Sequence, residues 1–227
     1  MDLRIKDLSS KSNKKIIHKN LPTIPFYSVV MGKSNSGKSN MILNLIKFLK
    51  KVIKEQNIFI FQSSPSNTFN KLKKAHKYDS LYDDDGENIV EILLNFQKSM
   101  LESKQKPPHL LLIFDDFITD NVFNSRRGVM QKLFSQGRHY NISIIVTSQQ
   151  YTLIPASIRR MSLYTMIYRI YNKKEYEIMA KESQRCLTED EFSEIYELAT
   201  KEKYNFLTID TVKDRFLKNF EKILYEE

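Results

Sequence analysis

One run of the sequence carries most of the chemistry: Gly32, Lys33, Ser34, Asn35, Ser36, Gly37, Lys38 and Ser39 in succession. It fits G-x-x-x-x-G-K-[ST] without a mismatch. Each part has a physical task. Small residues let the backbone curl, so that its N–H groups converge on phosphate oxygens. A helix opening at the end of the loop adds partial positive charge. Lys38 can reach β- and γ-phosphates, and Ser39 offers a hydroxyl to Mg²⁺. The pattern has meaning only between a strand and a helix. Residues 26–31 (FYSVVM) read as a strand. Residues 37–54 read as a helix, with Ile42, Leu45, Ile46, Leu49 and Ile53 on one face.

Two further strand ends could face the same phosphates. Residues 110–114 are continuously apolar and run into Asp115 and Asp116. In a parallel sheet the carboxyl ends of strands open onto the ligand crevice. Asp115 would then hold Mg²⁺ through its water shell, and Asp116 would orient an attacking water or take its proton. A solvated Asp-Asp turn is the alternative. Residues 142–147 (ISIIVT) form another apolar strand, running into Ser148, Gln149 and Gln150. If this strand lies between the other two, Gln149, or failing it Gln150, senses the γ-phosphate. A polar loop start is the alternative. Arg138 precedes this strand and Arg159 follows it. Either could be supplied across a subunit interface to neutralise transition-state charge. A structural salt bridge or a DNA phosphate contact serves each equally well. Arg126 and Arg127 read as solvated residues at a helix start, with phosphate contact the weaker option.

These residues need a sheet to position them. Further strands are expected at 57–62, 163–170 and 204–209. Helices are expected at 87–103, 126–136, from 173, at 188–201 and at 212–225. The helix at 87–103 should bury Ile89, Ile92, Leu93, Phe96 and Met100. Thr188 and Glu191 have capping-box spacing. Strands alternating with helices imply an α/β fold with a mainly parallel sheet. The expected organisation is a basic arm over 1–22 and one domain over 23–227. Its core spans about 25–170, and a helical extension with a late strand covers about 171–227.

Composition narrows the class. The 227 residues suit one globular domain, and the single Cys186 permits neither an intramolecular disulfide nor a cysteine metal cluster. His18, His76, His109 and His139 show no ligand spacing. Tyr and Phe are read as mainly core. No apolar stretch approaches the roughly 18 residues that span a bilayer, so a soluble intracellular protein without membrane insertion is expected. Net charge is +9, but residues 1–77 carry +13 and the remainder −4. Lys47, Lys50, Lys51 and Lys54 line one helix face, and Lys71, Lys73, Lys74 and Lys77 cluster beyond the next strand. A polyanion partner is one reading. A lysine-rich composition inherited from AT-rich coding DNA, with ordinary solvated faces, is the other.

GKSNSGKS, LLLIFDD, GRHYNISIIVTSQQ and IPASIRR follow in this order and spacing. Together they resemble the genome-packaging ATPases of poxviruses, other large DNA viruses and virophages, within the FtsK–HerA group of P-loop motor ATPases. The resemblance covers about residues 25–170 and continues into the YNFLTID and RFLKNFEKIL tail. The phosphate loop alone marks only P-loop NTPases; the GRH-x-x-IS strand ending in Gln narrows the group. The resemblance implies a RecA-like core with the Gln strand between the two phosphate-facing strands. It implies ATP and Mg²⁺ as ligands and a homo-oligomeric ring, pentamer or hexamer. It implies translocation of double-stranded DNA into a preformed capsid, with a capsid or portal-vertex protein as partner. The setting would be the host cytoplasm, in a viral factory, and the virion. By position, Gly32 to Ser39 are Walker A, Asp115 and Asp116 are Walker B, and Gln149 is the sensor. Many relatives have Glu as the second acid, and Asp116 is one methylene shorter. Three other functions stay open: a nucleotide-gated interaction module, a DNA-pumping ATPase outside packaging, and a small-molecule kinase.

Overall fold

A computed structural model of the chain describes residues 15–63, 67–117 and 128–227. Arg126, Arg127 and the first 14 residues lie outside the described residues. Nine strands form one sheet in the order β3-β2-β4-β5-β1-β6-β7-β8-β9. The strands are β1 (Tyr27–Met31), β2 (Ile58–Gln62), β3 (His76–Tyr78), β4 (Leu110–Asp115), β5 (Ile142–Ser148), β6 (Tyr164–Tyr168), β7 (Phe206–Asp210), β8 (Arg215–Lys218) and β9 (Lys222–Glu226). The first six are parallel, and β7 to β9 add antiparallel partners at one edge. This is the expected α/β architecture with a mainly parallel sheet.

The central strands are apolar on both faces because both are covered. From β4, Leu111 and Ile113 pack on one side, with the buried face of α1 (Lys38–Leu49). Leu110, Leu112 and Phe114 pack on the other, with residues of α2 (Ile89–Glu102) and α3 (Val129–Gln136). A third cluster seats α5 (Lys173–Ser183) and α6 (Glu189–Thr200) over β7 and β8. The short α4 (Ala156–Met161) links β5 to β6. Thr188 and Glu191 form a reciprocal capping box at the start of α6.

Two expectations are corrected. The helix expected at 212–225 is the β8–β9 hairpin. Its apolar residues satisfy a helical period, but Asp214 (φ 47°) and Asn219 (φ 56°) take left-handed backbone that interrupts any helix. Asn219 Oδ1 accepts from the Phe206 N–H at 3.1 Å, which fastens the hairpin turn to β7. Arg215, opposite Asp210 across the β7–β8 ladder, makes a buried ion pair with it at 2.9 Å. The buried face of α2 also differs. It presents Ile89, Val90, Leu94 and Gln97 inward, leaving Ile92 and Phe96 exposed. Gln97 decides the rotation, because its Nε2 donates to the carbonyls of Pro108 (2.7 Å) and Tyr140 (2.9 Å). β3 has no counterpart among the expected strands.

Residues 15–24, mostly assigned to the arm, pack on the domain. Lys15 bridges to Ile24, and Asn20 and Leu21 are buried. Asn20 Nδ2 donates to the Glu221 carbonyl, and Arg215 Nη2 donates to that of Lys19.

Candidate active site

The site forms where β1, β4 and β5 end on the same edge of the sheet. β5 lies between β1 and β4, so the strand running to Gln149 sits between the loop strand and the acidic strand. The loop leaves β1 at Gly32, whose N–H donates to the Ser148 carbonyl at 3.1 Å. Gly32 cannot be replaced without movement: a Cβ there would lie 2.6 Å from Ser36 Oγ and 2.8 Å from Tyr168 Cβ. Gly37, at φ 105°, precedes α1 in a conformation that side chains disfavour. Lys38 is buried and folds back over the loop, donating to the Gly32 carbonyl at 2.6 Å. Burial pushes its ammonium pKa down, while Asp116 and Asp115 push it up. Ser36 Oγ is buried without a hydrogen-bond partner. A buried orphan hydroxyl within the loop is a condition that a phosphate oxygen would relieve.

Across the cleft, Asp115 accepts from Thr147 Oγ1 at 2.8 Å and, at 3.5 Å, from Gln62 Nε2. Burial raises its carboxyl pKa; the Thr147 bond opposes this, and Asp116 adds to it. Asp116 takes left-handed backbone (φ 51°). Its N–H donates to Thr147 Oγ1 at 3.0 Å, and its carboxylate accepts from Gln149 Nε2 at 3.1 Å. Thr147 therefore fixes both acids. Lys38, Ser39, Asp115, Asp116 and Gln149 all line one cleft of 1410 Å³ with Ser34, Asn35, Ser36 and Gly37. Lys33 points away, with its ammonium 4.2 Å from the Tyr171 ring.

Ser39 and Asp115 offer hard oxygen donors of the kind Mg²⁺ takes. Among the described residues, no three His, Cys, Asp or Glu cluster to hold a metal unaided. Mg²⁺ usually keeps water and phosphate oxygens as most of its ligands, so a hydroxyl and a carboxylate fit that ion.

The two arginines lie elsewhere. Arg138 precedes β5, at the opposite end of a seven-residue strand. That is about 20 Å from the acids, at roughly 3.3 Å per residue. Its guanidinium lies 5.4 Å from the Tyr27 ring. Arg159 is engaged within the chain: Nε and Nη2 both reach the Glu182 carboxylate at 2.8 Å, and Nη1 donates to the Ile154 carbonyl. Glu182 also accepts from Tyr151, just beyond Gln149 and Gln150. Sequence reasoning missed Thr147 and Gln62. The available signal was the same as for Gln149, a polar residue closing an apolar strand.

Residues 13–219 match the family of the poxvirus A32 protein. The chain belongs to the poxvirus A32 protein family. A DNA packaging protein of variola virus, OPG160, is 30% identical over 150 residues, covering 63% of this chain and 52% of that protein. The uncharacterized protein 075L of invertebrate iridescent virus 6 is 31% identical over 146 residues, covering 64% and 55%. The chain thus spans about half the length of the curated relatives it matches. Among solved structures, the genome packaging NTPase B204 of Sulfolobus turreted icosahedral virus 2, in complex with ATP-γS, superposes with a TM-score of 0.63. It is 14% identical, with 86% of this chain and 96% of that one covered. The pCW3 conjugation coupling protein TcpA, with ATPγS, gives 0.57 at 16% identity, covering 83% and 57%. At such identities the likeness is one of fold. No helix among the described residues is long and apolar enough to cross a membrane.

Proposed function

We propose that this A32-family chain is an ATP-hydrolysing motor that moves double-stranded DNA into a preformed viral capsid. The observation that carries it is the joining of three strand ends at one cleft: the curled loop with its orphan Ser36 hydroxyl, the Asp115–Asp116 pair, and Gln149. Loop N–H groups and Lys38 would hold the β- and γ-phosphates. Ser39 and Asp115 would hold Mg²⁺, which when bound supplies positive charge against the phosphate oxygens. Gln149, already bonded to Asp116, would orient a water in line with the γ-phosphorus. As the water oxygen bonds to phosphorus, the bond to the β-phosphate oxygen breaks. Asp116 takes the proton, and ADP and phosphate leave. Asp115 is held by Thr147 and Gln62, which leaves Asp116 the freer acid.

Packaging is supported by the name of the variola virus relative and by the B204 fold. A ring assembly, duplex DNA within it, a capsid or portal-vertex partner and the viral-factory setting are parts of this proposal, and the A32 kinship is what supports them. An arginine from a neighbouring subunit would complete the site. Arg138 is the more available candidate, since Arg159 would first have to leave Glu182. The deciding experiment measures ATP turnover with and without duplex DNA, alongside mass in solution. Turnover should rise with DNA and with protein concentration. ATP binding without DNA-stimulated turnover would favour the nucleotide-gated interaction module instead.

A further inference from the structure

The cleft is larger than a triphosphate requires. Beyond the loop it continues between the exposed side of α1 and the β8–β9 turn, where Ile17, Leu21, Phe206 and Phe220 line it. At the junction of the two parts stands Tyr204. Its side chain is exposed, at 57%, although it borders the cleft. Its backbone is left-handed at φ 70°. Bulky residues seldom accept this conformation, and a turn of this kind would ordinarily take Gly or Asn. The ring does not serve the core either: the Lys203 ammonium lies over it, 4.7 Å from its centroid. It stands beside the phosphate loop, since a Cβ built on Gly37 would lie 3.3 Å from Tyr204 Cδ1. Phe206 and Phe220 differ, because they pack edge to face on each other at 5.3 Å. A strained backbone that presents an exposed aromatic ring next to a phosphate cradle has a ligand's π-surface as its natural complement.

We propose that Tyr204 is the stacking platform for the base of the bound nucleotide, with Phe220 and the Asn44 edge of α1 closing the base pocket. This rests on the nucleotide reading of the loop and adds a specificity-determining residue to it. Tyr204 touches the base and has no part in cleaving the phosphate.

Calorimetric titration of ATP and of inorganic tripolyphosphate, each with Mg²⁺, tests it. Wild type should bind ATP more tightly than tripolyphosphate. Tyr204→Ala should weaken ATP about ten- to a hundredfold, the range expected for loss of one aromatic stack. Tripolyphosphate affinity should stay within about twofold, and Tyr204→Phe should keep near wild-type ATP affinity. Tyr204→Gly separates folding from binding. Glycine adopts φ 70° freely, so this variant should melt no lower than wild type yet lose ATP affinity as Tyr204→Ala does. Equal weakening of ATP and tripolyphosphate in Tyr204→Ala, or no weakening of either, overturns the proposal. So does equal wild-type affinity for the two ligands, which would leave the phosphate loop standing. Wild type binding neither ligand would remove the nucleotide reading and this inference with it.

Discussion

Replacing Thr147 by Val keeps the shape of a fully buried side chain and removes one hydroxyl. That hydroxyl donates to Asp115 at 2.8 Å and accepts from the Asp116 N–H at 3.0 Å. A hydrogen bond to an ionised group contributes about 1.5–3 kcal/mol, and leaving a buried N–H unpaired costs about 1–3 kcal/mol. Both acids are only partly buried at the cleft, so water recovers some of the loss. The expected net cost is about 2–4 kcal/mol, from the lower part of those ranges. For a domain of this length that lowers Tm by about 5–15 °C. Urea denaturation and thermal melting both measure it, and Thr147→Ser should retain most of the stability.

The pH dependence has a definite sign. Burial raises the Asp115 pKa above its ordinary 3.8, and the Thr147 bond holds it down. An acid raised in the fold contributes stability that is full below the unfolded value and is lost as pH rises through the folded value. Without the hydroxyl the folded value climbs further, so the loss is larger and continues to higher pH. The gap between wild type and Thr147→Val should therefore widen from acid towards neutral pH. A cost below about 1 kcal/mol, a pH-independent gap, or a serine variant as damaged as the valine would refute the reasoning.

Lys38→Ala should abolish productive nucleotide binding, read by calorimetry; normal ATP turnover would overturn the loop assignment. Asp116→Asn should bind ATP yet stall hydrolysis, and undiminished turnover would mean another residue takes the proton. Arg159→Ala should cost about 1–2 kcal/mol of stability through loss of a partly buried charge-assisted pair. Arg159 holds the Glu182 pKa below its ordinary 4.5, so this contribution is present above 4.5 and lost as pH falls through the folded value. Melting at pH 7 and in acid checks it. Mixing Arg138→Ala or Arg159→Ala with Asp116→Asn should restore turnover for whichever arginine acts across subunits; no recovery in either mixture excludes both positions.

The phosphate loop was legible because its demands are local. Glycine at positions 32 and 37 and a lysine at 38 are required by backbone geometry and charge within eight residues. The strands β4 and β5 were legible because a continuous apolar run of that length must be covered on both faces. α2 was misread because it carries two overlapping apolar stripes, and the choice between them lies outside the helix, in the carbonyls that Gln97 finds on Pro108 and Tyr140. The C-terminal hairpin was misread for a related reason. Helical and extended periods both fit its apolar residues, and the arbiters are distant: Asp210 for Arg215, and Phe206 for Asn219.

The remaining gap follows from how the site stores strain. Among the described residues, eight other than glycine have positive φ, and four of them, Asn35, Asp116, Tyr204 and Asn219, line the one cleft. Left-handed backbone costs roughly 1 kcal/mol or more at each such residue, and local propensity supports it only weakly at Asp116 and not at all at Tyr204. A sequence rule built on propensity must therefore fail at these positions. Their side chains explain what the strain achieves. Left-handed backbone accompanies the Asp116 carboxylate bonded to Gln149, and it accompanies the Tyr204 ring beside Gly37. Relieving either with glycine should stabilise the fold and weaken the site, the opposite of the Thr147 change, which loosens both together. That contrast separates residues that hold the cleft in shape from residues for whose sake it is held.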